Sequence, residues 1–153
     1  MEENKGFVIR VYGLYIDINQ GLLVSDEYVY NQSITKFPGG GLEFGEGPID
    51  CLIREMKEEM DMTFEITDHF YTTDFFVESV FNKNIQVLSI YYLMKPVEEL
   101  KVQVANKPFD FEKKVNGAQR FRFIPLSEIS EISLTLIIDR KVAQMVKERY
   151  QSH

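Results

Sequence analysis

The segment from Pro38 to Met62 constrains the fold of this chain more than any other part of the sequence. It opens with Pro38-Gly39-Gly40-Gly41, a run that ends a strand and forms a turn. A helix is expected to follow from Pro48, because proline suits the first helical position, where its missing N–H would have no helical partner. Apolar residues at helical spacing then predict a helix over Pro48–Met60 with one apolar face: Ile49, Leu52, Ile53, Met56 and Met60.

Sequences typical of β-strands flank this helix on both sides. They are rich in β-branched and aromatic residues and are bounded by turn residues. The predicted strands are Phe7–Ile18, Leu22–Ser25, Ser33–Phe37 and Phe121–Ile124, with further strands between Phe64 and Met94 around a turn at Phe81-Asn82-Lys83-Asn84.

The last third of the chain contains a polar loop and a second helix. Lys95–Asn116 has no apolar periodicity, whereas apolar residues recur at helical spacing in Asp139–Tyr150. Strands on both sides of a central helix, followed by a terminal helix, predict a layered α/β or α+β fold. A length of 153 residues fits one domain.

Charge and cysteine content exclude several classes of protein. The chain has 17 basic and 24 acidic residues, a net charge of −7, whereas a nucleic-acid-binding surface normally carries a basic patch. The single cysteine, Cys51, excludes an internal disulfide and a cysteine-based zinc site, and it is expected to be an inert core thiol. No apolar run approaches the roughly 18 residues that span a bilayer, and the first residues lack a signal-peptide pattern. We therefore expect a cytoplasmic protein without nucleic-acid or membrane partners.

Three glutamates crowd the end of the predicted central helix. Glu55, Glu58 and Glu59 stand at positions i, i+3 and i+4, so their side chains share one patch. The last helical turns favour cations, and each misplaced carboxylate costs about 0.3–1 kcal/mol. Arg54 and Lys57 offset only part of this cost. A solvated acidic surface would account for the glutamates alone, and a bound metal ion would account for their crowding.

The preceding glycine-rich turn favours the metal interpretation. Glycines let backbone carbonyl groups approach a ligand closely, and Glu46 projects from the same connection. Carbonyl and carboxylate oxygens form the ligand set that hard divalent ions such as Mg²⁺ prefer. A metal ion would also allow an acidic chain to receive phosphate groups.

These residues resemble the Nudix box of MutT-like proteins. Gly40, Glu46 and Arg54-Glu55-Met56-Lys57-Glu58-Glu59-Met60-Asp61-Met62 stand in the register of that motif, after the usual Phe37-Pro38-Gly39-Gly40 lead-in. Outside Gly40 to Met62, only the order of elements and Phe123-Ile124-Pro125-Leu126 agree with the family. Asp61 departs from the pattern, which has glycine there to end the helix. We expect this departure to cost about 1 kcal/mol of stability rather than activity.

The resemblance implies a single domain over residues 1–153 with the Nudix fold, a mixed β-sheet sandwiched between helices. It also implies a pyrophosphohydrolase that uses water to cut a diphosphate linkage in a small nucleoside diphosphate derivative. The implied cofactor is Mg²⁺, with Mn²⁺ as an alternative. Dimerisation is common in the family, so a homodimer is a further expectation, although no feature of the sequence indicates an interface.

Carried onto matching positions, the resemblance assigns the metal ligands. Glu58 and Glu59 would be the main ligands, and Glu55 would share a metal ion or activate the attacking water. A backbone carbonyl of Gly39 or Gly40 would complete the site.

The resemblance also assigns supporting residues. Arg54 would orient the glutamates through charge-assisted hydrogen bonds, and Glu46 would support that network, with direct metal contact left open. Family members often add a carboxylate from a late loop. Here the loop offers Glu98, Glu99, Asp110 and Glu112. Glu112 is favoured, because Phe109 and Phe111 beside it are able to pack the loop against the site. The alternative is that Glu112 is an exposed acid paired with Lys113 or Lys114.

The substrate is not fixed by these residues. Glu78 replaces the downstream proline that the family associates with ADP-ribose compounds, and no tyrosine stands at 78–80, where dinucleoside polyphosphate enzymes have one. Nucleoside triphosphates and nucleotide sugars remain as candidates. A Nudix-fold module that senses a nucleotide without cutting it is the alternative function, and the intact glutamates argue against it.

The sequence also does not determine which residues contact the substrate. Tyr12, Tyr28, Tyr30 and Phe44 are able to stack on a base, but aromatic residues in strands more often belong to the core. Arg120 and Arg122 are able to contact phosphate, but alternating arginines on an edge strand are usually solvated. His69 and His153 are isolated in the sequence, and neither suggests a catalytic pair.

Overall fold

A computed structural model gives the structure of residues 4–151. In that range the strands are β1 (Gly6–Leu14), β2 (Ile16–Asp17), β3 (Gly21–Val29), β4 (Gln32–Lys36), β5 (Gly39–Gly41), β6 (Phe64–Thr72), β7 (Ile85–Pro96) and β8 (Ala118–Ile124). The helices are α1 (Pro48–Met60) and α2 (Ile137–Gln151), with a short 3-10 helix at Leu126–Glu128. The chain divides into two compact units. Residues up to 13 and 39–99 form the first, and residues 14–38 and those from 100 onward form the second.

The first unit contains a four-stranded sheet in the order β5-β1-β7-β6. Strand β5 pairs antiparallel with β1, which places Gly40 opposite Val11 and Gly39 opposite Tyr12. Strands β6 and β7 also pair antiparallel, joined through a turn in which Ile85 N–H donates to Asn82 carbonyl at 3.1 Å. The predicted turn at Phe81-Asn82-Lys83-Asn84 is therefore confirmed.

Helix α1 has the predicted bounds, but its buried face is turned relative to the prediction. Its buried residues are Cys51, Leu52, Met56 and Met60. The prediction that Ile49 and Ile53 belong to this face is wrong, because they are 46% and 37% exposed. The cause is a contact with β5: Cys51 Sγ lies 3.5 Å from the Gly41 carbonyl oxygen, and this orientation turns the two isoleucines outward.

The second unit contains a sheet built around β3. Strands β2, β4 and β8 each pair antiparallel with β3. The register places Asp26 opposite both Thr35 and Arg120, and Val24 opposite Arg122. Helix α2 contributes Val142 and other apolar residues to the buried core of this unit.

Strand β3 is longer than the sequence predicted. The prediction ended at Ser25, whereas β3 continues through Asp26 and Glu27 to Val29. These polar residues stay in the strand because their carboxylates have partners across the sheet. Asp26 bonds to Thr35 and Arg122. Glu27 bonds to Lys36 and Gln119.

The α+β class is confirmed, with the strands divided between two sheets. Helix α2 begins two residues before its predicted start. Between residues 4 and 151, no helix has the length and apolar character needed to cross a membrane.

Candidate active site

The glycine-rich turn and the first part of α1 position the residues of the motif within the first unit. Gly39 has a φ of +146°, a conformation that side chains rarely adopt, and an added Cβ would overlap the Val11 carbonyl. Gly40 lies against Glu55, so an added Cβ would lie 2.7 Å from Glu55 Oε2 and closer still to its carboxyl carbon. The missing side chain of Gly40 thus makes room for the Glu55 carboxylate beside the backbone of the turn.

Arg54 connects the turn to the glutamates of the helix. Its Nε and Nη2 donate to the two carboxylate oxygens of Glu46 at 2.9 and 2.7 Å. Its Nη1 donates to Glu55 Oε1 at 3.1 Å and to Glu58 Oε2 at 3.2 Å. Nη2 also donates to the Gly41 carbonyl at 3.1 Å. One guanidinium therefore bonds to three carboxylates and one backbone carbonyl. The orienting role of Arg54 stays a prediction.

This network shifts the protonation of its members. The hydrogen bonds from Arg54, followed by that from the Glu43 N–H, lower the pKa of Glu46 from 4.5 to about 2. The same carboxylates raise the pKa of Arg54, so it is charged at every accessible pH. Burial, and then Glu46, raise the pKa of Cys51 to about 12. The Cys51 thiol therefore stays protonated, in agreement with the inert thiol that we expected.

Glu58 and Glu59 differ in their surroundings. The Glu58 side chain is 59% exposed, so it is free to turn toward a ligand. Glu59 is half-buried, and its Oε2 faces the interior. Lys57, which we expected to offset part of the glutamate charge, instead pairs with Asp61 at 3.2 Å.

The donor set has the chemistry of a hard divalent cation site, with carboxylate oxygens on α1 beside the carbonyls of the turn. Within residues 4–151, however, no three Asp, Glu, His or Cys side chains already stand together as a metal-binding set. Arg54 holds Glu55 and Glu58 instead, at 3.1 and 3.2 Å. Arg54 bonds to one oxygen of each carboxylate, Glu55 Oε1 and Glu58 Oε2, so the second oxygen of each can bind a cation while these bonds persist.

The other predicted candidates belong to other elements of the chain. Glu112 is exposed in the loop between β7 and β8, which belongs to the second unit, and it forms no ion pair with Lys113 or Lys114 in the described chain. Its role as a metal ligand stays a prediction. His69 is exposed and lies 2.8 Å from the Thr72 hydroxyl, while His153 lies outside the described residues.

The aromatic candidates divide by exposure. Tyr12 is 3% exposed and packs on Tyr91, so it belongs to the core. Tyr28 lies under the Lys114 ammonium, 5.2 Å from its ring centroid. Tyr30 and Phe44 are strongly exposed. Phe44 follows the turn directly and is the aromatic candidate nearest in sequence to Glu46.

The structure also contains a polar cluster in the second unit that the sequence did not reveal. Arg122, which we expected to be solvated, has a side chain only 13% exposed and pairs with fully buried Asp26 at 2.6 Å. Only the strand register brings the two together, and no local spacing in the sequence could have shown it.

Comparison with known proteins places the chain in a family. The NUDIX domain model matches residues 8–145. The chain therefore belongs to the Nudix family, and the prediction of a Nudix hydrolase is confirmed at that level. Nudix hydrolases act on pyrophosphate linkages in small nucleotide derivatives and generally need divalent metal ions.

Solved structures share the fold. A MutT protein from Methanosarcina mazei Go1 is 17% identical, with a TM-score of 0.68 over 99% of this chain and 100% of that one. A NUDIX hydrolase from Nitrosomonas europaea is 16% identical, with a TM-score of 0.66 over 93% of this chain and 88% of that one. Because the identities are 16% and 17%, the similarity to these structures establishes the fold alone.

A curated relative matches part of the chain. The mRNA-decapping enzyme subunit 2 of Saccharomyces cerevisiae (strain YJM789) is 35% identical over 85 residues. The match covers 50% of this chain and 8% of the yeast protein.

Proposed function

We propose that the chain hydrolyses a diphosphate linkage in a nucleoside triphosphate or a nucleotide sugar, with a divalent metal ion, Mg²⁺ or Mn²⁺, as cofactor. The observation that carries this proposal is the Arg54 network, in which one guanidinium holds Glu46, Glu55 and Glu58. Carboxylates near a helix C-terminus are unfavourable for folding alone. Carboxylates that ligate metal ions are commonly held in orientation by hydrogen bonds such as those from Arg54.

The proposed ligands are Glu58 and Glu59, with Glu55 as a further ligand and a carbonyl of Gly39 or Gly40 as a neutral one. A bound divalent cation supplies charge neutralisation for the phosphate oxygens and a lowered pKa for water. Glu112 is retained as an additional candidate ligand.

Glu55 is proposed to accept the proton of the attacking water. Its carboxylate is held at two points, by Arg54 Nη1 at 3.1 Å and by the space beside Gly40. A carboxylate fixed in this way keeps one oxygen oriented while the other remains able to accept a proton. Arg54 acts as a positioning residue, because it bonds to carboxylates on both the turn and the helix.

The proposed substrate is a small molecule, since a net charge of −7 disfavours a nucleic-acid surface. The similarity to a decapping subunit nevertheless makes a capped RNA fragment a necessary member of any substrate panel. Other elements of the proposal are a cytoplasmic location and a homodimer.

The test is incubation of nucleoside triphosphates, nucleotide sugars, dinucleotides and capped RNA with Mg²⁺ or Mn²⁺, with both products identified. Nucleoside triphosphates should give nucleoside monophosphate and pyrophosphate, and nucleotide sugars should give nucleoside monophosphate and sugar phosphate. Wild type is compared with Glu59→Gln and with Glu65→Gln, a control at an exposed glutamate of β6. We expect metal-dependent turnover that collapses in Glu59→Gln and is unchanged in Glu65→Gln. Tight nucleotide binding without turnover by the wild type would instead support the sensing module.

A further inference from the structure

Exposed apolar side chains gather at one end of the sheet in the first unit. Strand β1 lies between β5 and β7 in this sheet. Leu42 N–H donates to the Ile9 carbonyl at 2.9 Å, and Gly6 N–H donates to the Asn84 carbonyl at 3.0 Å. The start of β1 is therefore flanked by the turn after β5 and by the turn before β7. Five large apolar residues of these segments are exposed, and we call them the apolar end: Phe7, Phe44, Phe76, Val80 and Phe81.

The segment 76–80 belongs to the same end of the sheet because it runs along the start of β7. Val87 N–H donates to the Val77 carbonyl at 2.8 Å, and Ser79 N–H donates to the Ile85 carbonyl at 2.8 Å. Between these two bonds, residue 78 pairs antiparallel with residue 86. Backbone hydrogen bonds thus hold the segments that carry the apolar end side by side.

The exposed aromatic area at the apolar end is that of a protein interface. Phe44 is fully exposed, Phe7 is 78% exposed and Phe76 is 68% exposed. With Phe81, the four rings expose the equivalent of about three whole phenylalanine side chains, or about 450–750 Å². The largest apolar patch of a typical monomer is about 300–600 Å², and larger patches mark interaction sites. Because a standard interface buries about 800 Å² on each partner, these rings supply at least about half of one partner's share.

The charges around the apolar end suit a second copy of the same chain. The chain has a net charge of −7, so much of its surface repels another copy. Segment 76–84, however, contains one acid, Glu78, and one base, Lys83, and both are exposed. Lys5 and Glu43, close in sequence to Phe7 and Phe44, are also exposed and opposite in sign. In a two-fold contact each copy presents both signs to the other, so the charges of this surface complement themselves.

We propose that the apolar end is the surface through which two copies of this chain associate around a two-fold axis. The aromatic rings form the core of the contact and the charged side chains its rim, which is the usual composition of an interface. The homodimer proposed above has no assigned surface, and this inference assigns one. It does not rest on the proposed hydrolysis, because it uses the contacts and exposure of residues in the first unit alone.

The test is sedimentation velocity of the full chain, without nucleotide or metal, from micromolar to millimolar concentration. We expect a monomer–dimer equilibrium that persists in high salt, because its core is apolar. Phe7→Ser and Phe76→Ser should each weaken the dimer about 10- to 100-fold, as is typical of aromatic residues at the centre of an interface. Ile132→Ser, a change at a 79% exposed residue of the second unit, is the matched control and should leave the dimer unchanged.

Hydrogen exchange of the wild type locates the contact without any substitution. Amides in 6–9 and 76–87 should exchange more slowly at a concentration that favours the dimer than at one that favours the monomer. A wild type that stays monomeric at millimolar concentration would overturn the proposal. So would a dimer that high salt dissociates, a dimer that Phe7→Ser and Phe76→Ser leave unchanged, or concentration-dependent protection confined to the second unit. No outcome depends on turnover, so failure of this proposal and failure of the proposed hydrolysis are distinguishable.

Discussion

Arg54 and Glu46 form a two-point ion pair, with Nε to Oε2 at 2.9 Å and Nη2 to Oε1 at 2.7 Å. The pair joins helix α1 to the turn that precedes it, and the remaining nitrogen of Arg54 holds Glu55 and Glu58. The orientation of the glutamates on the helix thus depends on a carboxylate in the turn. Substitution of Arg54 or Glu46 therefore tests the orientation of the glutamates while the proposed ligands on the helix stay in the chain.

Replacement of Arg54 by lysine should reduce activity about 10- to 100-fold, as is typical when a group that orients metal ligands is lost. Lysine keeps the charge but cannot bond to both Glu46 oxygens and to Glu55 in a planar fork. The measurement is kcat together with the Mg²⁺ concentration for half-maximal rate, and the second quantity should rise. Lys57→Gln, at a neighbouring exposed cation that pairs with Asp61, is the control and should leave both unchanged.

Glu46 should make the free energy of unfolding depend on pH in acid. Its pKa is about 2 in the folded chain, against an ordinary 4.5. Its stabilising contribution is therefore fully present above pH about 4.5 and is lost as the pH falls toward about 2. Urea unfolding of wild type and Glu46→Gln should show a stability difference that is constant near neutral pH and shrinks below about pH 4.5. A difference independent of pH would contradict this account.

Gly40 and its neighbour Gly41 offer a matched pair of alanine substitutions. In Gly40→Ala the new Cβ would overlap the Glu55 carboxyl, whereas in Gly41→Ala it would make an ordinary contact, 3.7 Å from Arg10 Nη1. Because the Glu55 carboxylate ends a flexible side chain, it can move aside, so Gly40→Ala should leave the melting temperature nearly unchanged. Activity should fall about 100-fold, since misplacement of a reacting group by about 1 Å has that effect. Equal activity of the two variants would exclude the proposed role of Glu55.

The sequence was sufficient to predict α1 and the motif, and insufficient for contacts that depend on strand register. The bounds of α1 were predictable because Pro48 marks its start locally and the apolar periodicity continues to Met60. The rotation of α1 about its own axis was not predictable from local sequence. It depends on the contact between Cys51 of α1 and Gly41 of β5, which leaves Ile53 exposed. The pairing of Asp26 with Arg122, 96 positions apart, has no local signal at all.

Asp61 should lower stability without affecting activity. It ends α1 with φ 53° and ψ 40°, the left-handed conformation that glycine adopts most easily. Its ion pair with Lys57 offers little compensation, because the two side chains are 61% and 92% exposed. Asp61→Gly should therefore raise the free energy of unfolding by about 0.5–1 kcal/mol in urea titrations, with unchanged kcat. Asp61→Ala should not raise the free energy of unfolding, because alanine adopts the left-handed conformation less easily than glycine. Stabilisation by both variants would show that loss of the Asp61 charge is the cause.

Asp26→Ala should be among the most destabilising single substitutions in the second unit. Asp26 is fully buried, and its loss leaves the Arg122 guanidinium, which is 13% exposed, without its counter-ion. Breaking a buried pair on one side costs about 3–5 kcal/mol, because the remaining charge is left unpaired. By contrast, Glu65→Gln breaks the exposed pair with Lys95, at 3.6 Å, and should change stability by less than about 1 kcal/mol. Urea unfolding of both variants measures the difference. Similar losses in the two would show that Asp26 and Arg122 contribute no more than a surface ion pair.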